Sequence, residues 1–149
     1  MKRHSFKESL KVGQAGEELL MQYWPGLKKL SGRKSDFELP DGSTMELKSD
    51  QYDANKTVNF FIEVHSDARM GSPGSVWQAK AHGSKWFCYW FPKNLLLYQF
   101  DTNELCEALN SIIPKLASIE ILNSHWVTSG VLVPRKQIEH LAQVRSFSE

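Results

Sequence analysis

Two alternating segments, Asp36 to Leu39 and Thr44 to Ser49, flank Pro40-Asp41-Gly42, and this arrangement constrains the fold more than any other stretch of the chain. Pro-Asp-Gly suits a three-residue hairpin loop, with Pro40 and Asp41 in a type I turn and Gly42 in the left-handed conformation. A loop of that length sets the register: Leu39 opposes Ser43, Phe37 opposes Met45 and Asp36 opposes Glu46. Strand alternation then places Glu46 and Lys48 on one face, with Met45 and Leu47 on the other. Asp36 shares the face of Glu46, at a directly paired Cβ separation of roughly 4.5–5.5 Å. Carboxylates so close repel each other. A hard divalent cation between them relieves the repulsion, since Mg²⁺ takes one or two carboxylates and keeps several waters. The alternative is an exposed polar face on which Lys48 neutralises both acids.

Around this hairpin the periodicity changes. From Glu8 to Trp24 the spacing of Val12, Ala15, Leu19, Leu20 and Tyr23 predicts an amphipathic helix, stopped by Pro25-Gly26. Val58 to His65 reads as a third strand, Asp67 to Gly74 as a loop, and Ser75 to His82 as a short helix. Lys85 to Phe91 and Leu95 to Phe100 are aromatic and β-prone. Thr102 is expected to cap a helix running to Ile113. Ser118 to Leu122 and Trp126 to Val133 read as short strands, and Pro134 opens a last helix through Val144. This order predicts an α/β domain with a central mixed sheet flanked by helices.

At 149 residues, 41% apolar and 23% charged, the chain has the size and composition of one globular domain. Its basic start lacks the apolar core of a signal peptide, and its longest apolar run, Trp86 to Phe91, is too short to span a bilayer, so a cytoplasmic protein off the membrane is expected. Cys88 and Cys106 sit in apolar segments without metal-type spacing and are expected to be buried free thiols. The net charge of +1 argues against a surface coated for non-specific nucleic-acid binding. Basic residues nevertheless cluster at Lys2, Arg3, Lys7 and Lys11, and again at Lys28, Lys29, Arg33 and Lys34, which forms either a local phosphate-binding strip or a solvated face.

Glu46-Leu47-Lys48 is the only acid-x-lysine triplet in the chain, although chance alone supplies roughly one or two in a sequence of this composition. Ser35-Asp36 followed by this triplet, with Gly13-x-x-x-Glu17 on the preceding helix, resembles the PD-(D/E)XK nuclease superfamily over roughly residues 13 to 90. Asn59-Phe60-Phe61-Ile62-Glu63 and Gly74-Ser75-Val76-Trp77-Gln78-Ala79 are similar to a phage and bacterial branch that includes Holliday-junction-resolvase-like enzymes. Ser35 stands where the motif has proline, and the nine residues between Asp36 and Glu46 are a short connection for this family. The resemblance implies a restriction-endonuclease-like fold and a Mg²⁺-dependent DNA endonuclease, with Mn²⁺ as a substitute metal. It implies further that Asp36, Glu46 and the Leu47 carbonyl bind the metal and that Glu17 reaches it directly or through water. Lys48 then orients or helps deprotonate the attacking water, and the products carry a 5′-phosphate and a 3′-hydroxyl.

Other residues have two readings each. Glu17 is either a metal-site residue or a solvated helix glutamate. Gln78 follows Ser75 by three and either closes a capping box or lies near the water or the DNA. Glu63, in an otherwise apolar strand, needs a partner such as Lys80, Lys48 or the metal. Lys28, Lys29, Arg33, Lys34 and Lys80 are the candidate DNA contacts. The scattered histidines show no zinc spacing, and Trp77, Trp86, Tyr89 and Trp90 read as core more readily than as base-stacking surfaces. The leading expectation is an endonuclease that reads DNA shape or branching, acting as a homodimer. The alternatives are a catalytically silent nucleic-acid-binding module of the same fold and an interaction domain in which the charges form a surface network.

Overall fold

The computed structural model describes residues 2–3, 6–32, 34–122 and 126–148, with side chains from residue 11 onward within these ranges. Eleven strands and four helices are assigned among these residues. In chain order they are β1 (Lys2–Arg3), α1 (Phe6–Tyr23), β2 (Lys28–Lys29), β3 (Phe37–Glu38), β4 (Thr44–Ser49), β5 (Asn59–Asp67), β6 (Ser72–Pro73), α2 (Ser75–Ala81), β7 (Trp86–Phe91), β8 (Leu96–Asp101), α3 (Thr102–Ile112), β9 (Ser118–Leu122), β10 (Val127–Pro134), α4 (Arg135–Ile138) and β11 (Gln143–Ser146).

The expected mixed α/β class, with helices flanking a mixed sheet, is observed, but the strands divide between two sheets. One is ordered β11-β8-β7-β4-β3-β2, with β4 and β7 parallel and the other neighbours antiparallel. The other is ordered β1-β9-β10-β5-β6. β5 therefore does not extend the β3–β4 hairpin. Its buried side chains Phe60 and Ile62 pack over the first sheet, where the Phe60 ring meets the Tyr89 ring edge-on at 4.7 Å.

The six-stranded sheet buries both of its faces. Phe37, Met45, Cys88, Trp90 and Leu97 form one core with Leu20 of α1. Phe87, Tyr89, Phe91 and Phe100 form the other with β5, β10, α2 and α3. Cys88 and Cys106 are both free and buried, as expected.

Helix α1 forms where its periodicity predicts, and of its expected stripe Leu20 is buried and Leu19 packs on the core, while Val12, Ala15 and Tyr23 stay exposed. Gly16 is buried as well. Trp90 Nε1 donates to the Gly16 carbonyl at 3.0 Å. A Cβ at Gly16 would lie 2.2 Å from Ser49 Oγ, so the missing side chain is what lets the helix lie against β4.

Three further expectations are corrected. Asp101, not Thr102, caps α3, its side chain accepting from the Glu104 amide. The last helix stops at Ile138 and, after one further tight turn, the chain extends into β11, because Gln143–Ser146 pairs with the open edge of β8. The loop after β5 contains β6, which folds back on β5.

Candidate active site

The hairpin turns where the sequence places it. Leu39 donates to the Ser43 carbonyl at 2.8 Å, Phe37 pairs with Met45, and Gly42 has φ +87°, the left-handed region in which glycine carries no steric cost. At Asp36 the regular ladder ends. The Asp36 amide donates to the Met45 carbonyl at 3.0 Å, and the Leu47 amide, which would otherwise seek a backbone carbonyl, donates to Asp36 Oδ2 at 2.7 Å. The flanking strap is fixed independently. Ser35 Oγ and Ser84 Oγ lie 2.6 Å apart in a buried hydrogen bond, and the Lys34 carbonyl lies 2.9 Å from His82 Nδ1.

These constraints hold the Asp36 carboxyl at the Leu47 amide, one residue past Glu46, close enough for the Asp36 and Glu46 carboxyls to act on each other. Both are pushed above the ordinary carboxylate range. For Glu46, burial contributes most, followed by the Asp36 charge and the hydrogen bond to Asp36, with Glu17 and Glu63 adding smaller repulsions. Together they lift it to about 9. Asp36 is raised chiefly by burial, partly offset by the Leu47 amide. Two carboxylates this close disfavour being charged together, so a proton is held more tightly here than on either carboxyl alone.

Lys48 lies two residues beyond Glu46 on the same face and forms no ion pair among the described residues; its Nζ sits 5.7 Å from the centre of the Phe61 ring. It does not neutralise the two acids. Glu17 comes to the edge of the site, where its charge is felt at both carboxyls, but its carboxylate pairs with Lys29 Nζ at 2.9 Å. Glu63 approaches Glu46 closely enough to repel it and has no ion-pair partner among the described residues.

The remaining candidates divide. Lys28, Lys29 and Lys34 are exposed near β3, and of the three the Lys29 charge acts on Asp36. Arg33 lies outside the described residues, as do the side chains of Lys2, Arg3 and Lys7. Lys80 is exposed on α2, where its charge acts on Cys106 of α3, away from Lys48. Gln78 does not close a capping box: Gly74 is the N-cap of α2 and makes no side-chain cap bond. The Gln78 amide instead donates to the Pro73 carbonyl and, at 3.3 Å, to Ser66 Oγ, tying β6 and β5 to α2.

One further acid escaped the sequence reading. Asp50 is buried one alternation step past Lys48, and its Oδ2 accepts a short hydrogen bond from the Tyr89 hydroxyl at 2.5 Å. That hydroxyl also accepts from the Phe61 amide at 3.0 Å, so one oxygen joins β4, β7 and β5. Continuing the period-2 count from Glu46 and Lys48 would have found Asp50.

Oxygen donors on two adjacent carboxyls suit a hard divalent cation, which would replace the tightly held proton. Among the described residues no group of three or more His, Cys, Asp or Glu side chains is arranged to hold a metal ion. Among the described residues no helix is long and apolar enough to cross a membrane. No protein-family model matches the chain and no curated protein matches it.

Proposed function

We propose that this protein is a Mg²⁺-dependent DNA endonuclease that hydrolyses phosphodiester bonds, selecting branched or junction DNA and acting in the cytoplasm as a homodimer of restriction-endonuclease-like subunits. The observation that carries the reading is the closeness of the Asp36 and Glu46 carboxyls, raised by burial and mutual repulsion, with the Lys48 ammonium, which forms no ion pair among the described residues, on the face of Glu46. Keeping two carboxyls together costs stability unless a cation compensates them, so such an arrangement favours a metal-dependent function.

Asp36 and Glu46, with the Leu47 carbonyl, would hold the metal, and Glu17 would approach it once released from Lys29. When bound, Mg²⁺ supplies a water of lowered pKa and positive charge at the phosphate oxygens. Lys48 donates a hydrogen bond to the attacking water or to a non-bridging phosphate oxygen, stabilising charge that builds up during in-line attack. Lys28, Lys29 and Lys34 near β3 would hold the flanking phosphates, fixing position without reading sequence.

The test is cleavage of linear, nicked, flapped and four-way DNA in Mg²⁺, in excess chelator, and by Asp36→Asn. Cleavage by the wild type that disappears with chelator and in Asp36→Asn, while the circular dichroism spectrum is retained, is the expected outcome. Robust cutting by Asp36→Asn or in chelator would refute the assigned site.

A further inference from the structure

Glu17 and Lys48 line one end of a groove of about 1000 Å³ that the proposed chemistry does not explain, running from them across the outer face of β5, β9 and β10. Strand alternation makes that face. Phe60 and Ile62 of β5 are buried, so Asn59, Phe61 and Glu63 turn the other way. The Phe61 ring lies across Gly130 of β10, where a Cβ would stand 2.5 Å from Cζ; any larger residue would lift the ring off the sheet. Leu132, 44% exposed, and Ile119, 36% exposed, continue the apolar surface beside it. At the far end a smaller hollow of about 350 Å³ shares Gln51, Tyr52 and Thr57 with the groove and carries Lys56 and Lys93.

The geometry points to this groove as a binding site for an unpaired DNA strand, with a base stacked on Phe61 and a following phosphate held by Lys56 and Lys93. This rests on the nuclease reading, which it deepens by naming the substrate class. A duplex hides its base faces in the stack, whereas the half-buried Phe61 ring, with Leu132 and Ile119 beside it, offers an unpaired base a partner of the kind single-strand-binding proteins use. The charges agree with that orientation. Glu63 and Glu120 line the groove and repel phosphates, yet carboxylates accept hydrogen bonds from exocyclic base amines. Lysines are placed at Lys48 and in the end hollow, so the backbone runs past the rim and the bases turn inward. Branched and flapped DNA present unpaired nucleotides of this kind beside a cuttable bond.

The test uses the full chain in excess EDTA, where binding is read without cleavage. The fluorescence anisotropy of a labelled oligodeoxycytidine of about 12 nucleotides is compared with that of a blunt duplex of equal length. The single strand should bind at least about tenfold more tightly than the duplex. Phe61→Leu, which keeps apolar bulk and removes the ring, should weaken the single strand by about 5- to 100-fold and leave the duplex unchanged. The double variant Lys56→Ser/Lys93→Ser should lower the salt slope of single-strand binding by about 1.4. Equal binding of the two DNAs, or Phe61→Leu within twofold of wild type while its melting curve is retained, would overturn the proposal. So would a dimer that Leu132→Glu splits into monomers with oligonucleotide binding intact, because the groove would then belong to a second copy. Tight single-strand binding by a protein that fails to cut in Mg²⁺ would sink the nuclease reading and leave the groove standing. Cutting with an unaffected Phe61→Leu would do the reverse.

Discussion

Replacing Glu46 with glutamine should flatten the pH dependence of folding stability in metal-free protein. In the folded chain Glu46 titrates at about 9, against an ordinary 4.5 that the unfolded chain retains. The folded state therefore keeps a proton that the unfolded state releases, so stability is greatest below about pH 5, falls as pH rises and levels off above about pH 9. At about 1.4 kcal/mol per unit, the ceiling on this loss is roughly 6 kcal/mol. Both carboxyls are only half-buried, and solvent screening brings the expected loss to about 2–3 kcal/mol. Glu46→Gln removes the titrating carboxyl and the repulsion that helps raise Asp36, leaving a change of about 1 kcal/mol or less across the same window. Urea unfolding followed by circular dichroism in EDTA, at about pH 5, 7 and 9, measures both curves. Mg²⁺ at about one hundred times its dissociation constant should return about 2.7 kcal/mol to the wild type near pH 8 and nothing comparable to Glu46→Gln. Parallel curves for the two proteins would refute the argument, because the carboxyl pair would then carry no titration of its own.

Gly16→Ala places a Cβ where Ser49 Oγ stands; despite the better helix propensity of alanine, chemical unfolding should show a net loss of about 1–2 kcal/mol, and a stabilised variant would contradict the close seating of α1. Inserting one residue after Asp41 should exchange the faces of the hairpin strands or force a bulge, lowering cleavage by orders of magnitude, whereas Asp41→Asn, which keeps the turn chemistry, should cut at close to the wild-type rate in the same assay.

The hairpin was legible because two independent signals agree there: a turn triplet that demands one loop length and an alternation that turns one-residue slips into misplaced faces. The pairing of Phe37 with Met45 follows from those alone; beyond it Asp36 leaves the ladder, its amide bonding to the Met45 carbonyl and its side chain to the Leu47 amide, which the regular register did not anticipate. The seating of α1 was legible only in part: apolar spacing marks Leu20, which is buried, but also Val12 and Tyr23, which are exposed, and it cannot mark Gly16, whose contact depends on having no side chain. The helix expected to run from Pro134 to Val144 ends early because pairing of Gln143–Ser146 with β8 satisfies backbone groups across the sheet, a tertiary gain that local spacing does not record. The split into two sheets was likewise hidden, since the alternation of β5 is the same whether its neighbour is β4 or β10.

The edge strands of the two sheets bear on how copies of this chain can associate. β1 is Lys-Arg, β2 is Lys-Lys and β6 is Ser-Pro, each two residues long, and only β11, with Arg145 among its four residues, presents a longer border. Short borders carrying lysine, arginine or proline are poor templates for another chain's backbone. They discourage the sheets from growing by addition of strands, and with it the route to fibrous aggregates that open sheets otherwise offer. A two-fold assembly of this protein would accordingly be built by side chains meeting across faces, and the lysines of β2 would serve as gatekeepers as well as phosphate contacts.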